Sequence, residues 1–334
     1  MIIVESYPLA VVLCLVTMLC WGSWANTQKL GGRKWAFQLY YWDYALGVLL
    51  LALMLAFTMG SLGGAGRPFL ADMAQASGSS LWSAFLGGVI FNLSNILLVA
   101  AIDIAGMAVA FPIGVGLALV LGVIANYLAA PVGNPGLLFV GVAGVVLAIL
   151  VDALAYRRLP SQGQKTTGKG MAISVVAGVL MGFFYRFVAA LMSSDFAHPE
   201  AGKMGPYSAV VVFSAGLFLS NFLWNSIVMA RPFAGNRVPF SSYLRDGNAR
   251  LHLVGILGGI IWSLGMSLSI LASGAAGFAI SYGLGQGATM VAALWGVFVW
   301  REFVQAPPGT GRLLWVMFIA YAAGLALIIV SRVA

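Results

Sequence analysis

Ten apolar runs, each long enough to cross a bilayer as one helix, decide what this chain can fold into. A hydrocarbon core about 30 Å thick takes about 20 residues of helix. Runs of that order stand at 7–27, 38–62, 81–102, 106–128, 136–155, 170–193, 207–230, 251–273, 277–300 and 312–331. The longest connections, 60–80, 156–169, 194–206 and 231–250, leave no room for a soluble domain. Only 8% of the 334 residues are charged and 61% are apolar, whereas a water-facing exterior takes about a quarter charged. Lipid must therefore be the solvent for most of this surface. The expectation is an all-α polytopic protein of the cell membrane with ten transmembrane helices. The connections around 103–106 and 274–277 are so short that the spans they join must be adjacent antiparallel hairpins.

The basic residues orient these spans. One side, formed by the connections after spans 1, 3, 5, 7 and 9, holds Lys29, Arg33, Lys34, Arg157, Arg158, Lys165, Lys169, Arg231, Arg237, Arg245, Arg250, Arg301 and Arg312. The opposite side holds Arg67, Lys203 and Arg332, and Arg186 falls within a span. Lys and Arg concentrate in cytoplasmic loops, so both termini are expected to be extracytoplasmic. The net charge of +8 thus reads as topology. A nucleic-acid partner is not expected, because no element clusters Lys and Arg with aromatics between them. The opening residues 1–5 lack a basic leader, so the first run is expected to remain as a span. Cys14 and Cys20 are too far apart along one helix to bridge, and His198 and His252 lie outside the apolar cores. Neither a metal nor any other cofactor is expected.

An internal repeat gives the architecture. Residues 87–128 align without a gap on residues 258–299, a shift of 171, with twelve of 42 positions identical. The identities include Gly87/Gly258, Gly88/Gly259, Gly106/Gly277, Gly114/Gly285 and Gly116/Gly287. Spans 3 and 4 therefore correspond to spans 8 and 9, which makes the repeat five spans long. Five is odd, so the second half must insert upside down. The division is 1–155, a cytoplasmic linker at 156–169, and 170–334. Inverted five-span halves are an architecture of secondary transporters, with the solute bound near the midplane between them. A duplicated receptor or channel would carry the same repeat.

Polar side chains at membrane depth usually face the bundle interior or a wet cavity. By depth they are Asn92 and Asn95 in span 3, Ser220 and Asn221 in span 7, Ser263 and Ser267 in span 8, and Gln286 and Thr289 in span 9. Tyr282 and Gln286, four apart, share a helix face. With Trp262 and Trp21 beside them, Asn92, Asn95, Ser263, Tyr282 and Gln286 would suit a small neutral solute with several hydrogen-bonding groups and a ring to stack. The same groups could instead bond helix to helix, and Trp21 and Trp24 could belong to an interfacial belt. Asp43 sits about one and a half turns into span 2, where it could take up and release a proton near neutral pH. Asp103 and Asp152, near span ends, read as solvated. Arg186 is expected to snorkel to the outer interface, where Glu5 could pair with it. Residues 163–170, GQKTTGKG, approach a phosphate-binding loop but lack its final Ser or Thr and a preceding strand. They read as a flexible basic loop.

Several of these pieces together resemble the drug/metabolite transporter superfamily, and within it the ureide permease and glucose/ribose uptake branches. They are Trp21-Gly22-Ser23, Tyr41-Trp42-Asp43-Tyr44, Phe240-Ser241-Ser242-Tyr243-Leu244, and Ser281, Gln286, Gly296 and Glu302 in and after span 9. The resemblance implies proton-coupled uptake of a neutral solute, allantoin or uracil in one branch and a monosaccharide in the other. The Asp43 motif is closer to the ureide branch, and the short central loop to the sugar branch. An efflux permease for amphipathic drugs or metabolites is the alternative within the superfamily. An intramembrane enzyme would need a paired nucleophile and base, or a metal set at depth, and neither is found.

Overall fold

The computed structural model describes residues 1–32, 35–159 and 168–334. Arg33, Lys34, Lys165 and most of the loop-like run 163–170 lie outside them. Among the described residues every element of regular structure is a helix, apart from one isolated bridge between Met192 and Met204. In lipid each backbone polar group must be satisfied within its own segment, which a helix does. Ten helices are long and apolar enough to cross a membrane, and the protein is a multi-pass membrane protein. Spans 1 to 10 are Tyr7–Leu30, Phe37–Phe57, Gly78–Ala105, Met107–Ala129, Pro135–Tyr156, Gly168–Ala189, Pro206–Ala230, Ala249–Ala276, Phe278–Val299 and Thr310–Val330. Spans 1, 3, 5 and 8 begin at side-chain caps: Ser6, Ser77, Asn134 and Asn248 accept from the amides of Leu9, Ser80, Leu137 and Leu251. Each cap satisfies an amide that the first turn leaves without a partner.

Two departures from the expected spans matter later. Short helices at Phe69–Gln75 and Ser241–Arg245 occupy connections read as loops. Span 9, read as one helix, is interrupted: an α-helix over Phe278–Gly285, a tight turn through Gln286 and Gly287, a second α-helix over Ala288–Leu294, and a π-helical stretch over Trp295–Val299.

Backbone contact organises the bundle. Span 3 packs on spans 6 and 7, span 8 on spans 1 and 2, and span 5 on span 10. At the crossing of spans 3 and 7, Gly88 lies against the Phe213 carbonyl and Gly216 against the Phe85 carbonyl, so closely that neither could carry a Cβ. At the crossing of spans 8 and 2, Gly259 lies against the Tyr44 carbonyl and Gly47 against the Ile256 carbonyl in the same way. Side-chain bonds clamp both crossings. Asn92 donates to the Leu217 carbonyl at 3.1 Å, and Ser263 to the Val48 carbonyl at 2.9 Å. The turns between spans 3 and 4 and between spans 8 and 9 rest on Gly106 (φ 78, ψ 159) and Gly277 (φ 85, ψ 152). That conformation is open to glycine and hardly to any other residue.

The two ends of the bundle differ. At one end the N-terminal ammonium donates to the Ala65 carbonyl at 2.6 Å, and Arg67 pairs with Asp72 at 2.9 Å. Asp72 also accepts from the Gly205 amide at 2.7 Å, while Arg67 reaches the Pro199 carbonyl at 2.9 Å. Arg332, beside the C-terminus, bonds the Ala275 carbonyl at 3.2 Å, so both termini share this tied end. The other end, carrying Lys29, Tyr156 and Glu302, opens into a cavity. Among the described residues neither Glu5 nor Arg186 forms an ion pair. Arg186 lies in the last turn of span 6, where a helix C-terminus favours a cation.

These contacts predict unequal costs for glycine substitutions. Gly88→Val and Gly259→Val should each prevent recovery of monodisperse protein in detergent. Gly116→Ala, whose added carbon meets nothing within 4 Å, should leave the thermal midpoint unchanged or raise it, since alanine favours helix over glycine by about 1 kcal/mol.

Candidate solute site

The cavity encloses about 290 Å³ between the two crossings. Its deep wall is aromatic. Trp262 stacks on Trp21 with ring centres 5.9 Å apart, and meets Phe91 at 4.4 Å; Phe91 in turn meets Phe184 at 4.9 Å. The Trp21 indole donates to the Trp262 carbonyl at 3.2 Å, which fixes the ring that span 1 contributes. Gly265 allows this, because its missing side chain leaves room for the Trp21 ring. Near this wall the polar lining is Asn95 from span 3 with Gln286 and Thr289 from span 9, and further polar and charged groups stand towards the mouth. Asn95 uses its amide N–H on the Tyr41 hydroxyl at 3.1 Å, and its amide oxygen has no protein partner among the described residues. Gln286 sits where span 9 breaks, one turn before Thr289, and no described residue hydrogen-bonds its side-chain amide. Broken helices and π-helical turns free polar groups where they line cavities.

Of the residues expected to bind solute, then, Trp21, Asn95, Trp262 and Gln286 share this cavity. Asn92, Ser263 and Tyr282 do not line it. The first two clamp the crossings. Tyr282, fully buried, donates to the carbonyls of Ala118 and Met181 at 3.1 Å, tying span 9 to spans 4 and 6. Tyr282 and Gln286 remain one helical turn apart, with the Gln286 backbone amide on the Tyr282 carbonyl at 3.1 Å, yet only Gln286 lines the cavity. Asp43 also lies off the cavity, 2% exposed. One carboxylate oxygen accepts from the Tyr243 hydroxyl, and the other meets His252 Nδ1 at 2.9 Å. Outside the spans, Tyr243 has its hydroxyl held well above the usual phenol range by burial and then by the Asp43 carboxylate.

The mouth holds groups that depth alone did not single out. Lys29 pairs with Glu302 at 3.3 Å and sits 4.4 Å above the Trp300 ring. Glu302 accepts from the Tyr156 hydroxyl at 2.8 Å. Two further indoles tie the end of span 9 to span 1: Trp295 donates to Ser23 at 2.8 Å, and Trp300 to Asn26 at 2.7 Å. Asp152, read as solvated, lines this part of the cavity and is only 6% exposed. The packed bundle buries it, which its position near a span end could not reveal. Asp103, read the same way, is exposed.

Comparison with known proteins places this geometry. A profile of the ureide permease family matches residues 40–166 and 157–331. The chain is 24% identical to Ureide permease 2 of Arabidopsis thaliana over 99% of each protein. It is 27% identical to Ureide permease 3 of the same plant, over 84% of this chain and 89% of that one. Probable ureide permease A3 of Vigna unguiculata is 30% identical over 45% of this chain and 41% of that protein. A solved crystal structure whose description names no activity shares the fold, with a TM-score of 0.59 and 15% identity over 97% of both chains. With the profile covering nearly all ten spans, the chain belongs to the ureide permease family.

Proposed function

We propose that the protein is a secondary transporter that imports a neutral ureide such as allantoin by alternating access, driven by a proton gradient. The observation that carries this reading is the cavity itself: an aromatic wall beside two amide side chains with unused hydrogen-bonding capacity. A ureide presents N–H and C=O groups side by side, which an amide complements with its own donor and acceptor. A planar or puckered ring can lie against Trp21 and Trp262. The relatives named as ureide permeases support the same solute class.

Alternating access rests on two equivalent halves, and the crossings support them. Shifting Gly88, Phe85 and Asn92 by 171 gives Gly259, Ile256 and Ser263. Their partners Phe213, Gly216 and Leu217 correspond, by a common shift of 169, to Tyr44, Gly47 and Val48. The same close approaches and the same side-chain clamp therefore occur twice, with the roles of the halves exchanged. Basic residues concentrate at the open end, so the positive-inside rule supports a cytoplasmic opening and extracytoplasmic termini.

For Asp43 we propose coupling at the seam between span 2, span 8 and the helix Ser241–Arg245. A proton on its carboxylate weakens the bonds to Tyr243 and His252 and lets the seam move.

Uptake of labelled allantoin, uracil, ribose and glucose into proteoliposomes, with and without an inward proton gradient, tests the function. Allantoin or uracil should accumulate with the gradient and the sugars should not; gradient-independent uptake would contradict proton coupling. Gln286→Ala should weaken allantoin binding about tenfold, the scale of one lost hydrogen bond plus its unpaired partner. Asn92→Ala should lower thermal stability and leave affinity unchanged. Asp43→Asn should keep affinity and lose gradient-driven accumulation.

A further inference from the structure

Asp152 stands one turn before the end of span 5, at the side of the cavity. It is 6% exposed, and its Oδ1 is buried with no hydrogen-bond partner. The titratable groups that feel its charge are Glu302 from the end of span 9, Tyr156 from its own helix and Tyr321 from span 10. None of them is a cation. Lys29, the basic residue lining the cavity, is engaged by Glu302 and the Trp300 ring. The Glu302 carboxylate already accepts from Tyr156 and Lys29.

An ionised carboxylate is costly to bury unless donors or a cation compensate it. Here one oxygen has neither, and the Glu302 carboxylate repels a negative charge at this position. A neutral carboxylic acid removes both penalties and adds an O–H that can serve as a donor inside the cavity. Asp43 is the contrast: both of its oxygens are engaged, one by Tyr243 and one by His252.

We propose that Asp152 is the proton-binding group of the cavity, protonated in the conformation open at the Lys29–Glu302 end and required in that form for solute to bind. The proton arrives as H⁺ from bulk water and converts the carboxylate to the acid. It leaves by the same atom, with Glu302 and Tyr156 lining the path to the mouth. This rests on the transport reading above but assigns a second, intracavity site, separate from the seam at Asp43.

The test is the pH dependence of allantoin affinity in purified protein between about pH 5.5 and 8.5. In the wild type, the dissociation constant should rise by up to about tenfold for each pH unit above the titration of the acid. Asp152→Asn, which mimics the protonated form, should bind with a dissociation constant that no longer varies with pH. Asp103→Asn, which removes an exposed carboxylate outside the cavity, should keep the wild-type profile. A pH-independent wild type, or an Asp152→Asn variant that retains the slope, would overturn the assignment. Infrared difference spectra taken across the same pH range without solute provide a second reading. The wild type should show the carbonyl stretch of a neutral carboxylic acid near neutral pH, and Asp152→Asn should lack it. If that band is present and allantoin does not bind, the solute reading fails while the proton site stands. If the band is unaltered in Asp152→Asn, the proton site fails.

Discussion

The structure depends on two places where backbones touch. Glycines at 47, 88, 216 and 259 bring span 2 against span 8 and span 3 against span 7 with no side chain between them. In a membrane the hydrophobic effect does not drive helices together, because lipid is as apolar as leucine. Close backbone packing and interhelical hydrogen bonds take its place. Asn92 and Ser263 supply those bonds at equivalent points. The crossings hold rigid pairs on either side of the cavity, and the aromatic wall is built where they converge.

From that frame the site follows. Gly265 leaves space for Trp21, Trp21 fixes on the carbonyl of Trp262, and Trp262 meets Phe91 from the opposite half. Spans 1, 3 and 8 thus contribute to one surface. Span 9 is the exception to straight helix. Its break at Gln286 and its π-helical turn before Trp300 place an amide, a threonine and the Glu302 carboxylate along one side of the cavity. The mouth is held by contacts that can be remade: an ion pair, a cation over an indole, and two indole hydrogen bonds. The tied end is held by Asp72, which bonds both Arg67 and the Gly205 backbone.

Much of this was legible in the chain. The ten spans were, because about 20 apolar residues in a row have few other uses. So were several glycines that pack backbone on backbone or turn the chain, such as Gly88, Gly106, Gly259 and Gly277, because no side chain fits there. Depth within the membrane could also be counted along each run. Orientation around the helix axis could not: spans buried or lipid-coated on every side show no polar face to mark the cavity. That is why Asn92, Ser263 and Tyr282 were grouped with Asn95 and Gln286, although they bond neighbouring helices. The interruption of span 9 was hidden too, since its residues contain no proline and a continuous helix reads equally well. Asp152 was misjudged because nearness to a span end suggests water, whereas the packed bundle buries it.

The central claim is that two equivalent halves expose one cavity to one side at a time. Reciprocal accessibility tests it most directly. In a background with Cys14 and Cys20 replaced, Asn26→Cys at the mouth and Ala65→Cys at the tied end would be titrated with a membrane-impermeant thiol reagent, with and without saturating allantoin. The account predicts that solute changes the two labelling rates in opposite directions, with Asn26→Cys slowed and Ala65→Cys accelerated. Rates that rise together, fall together or ignore the solute would contradict it.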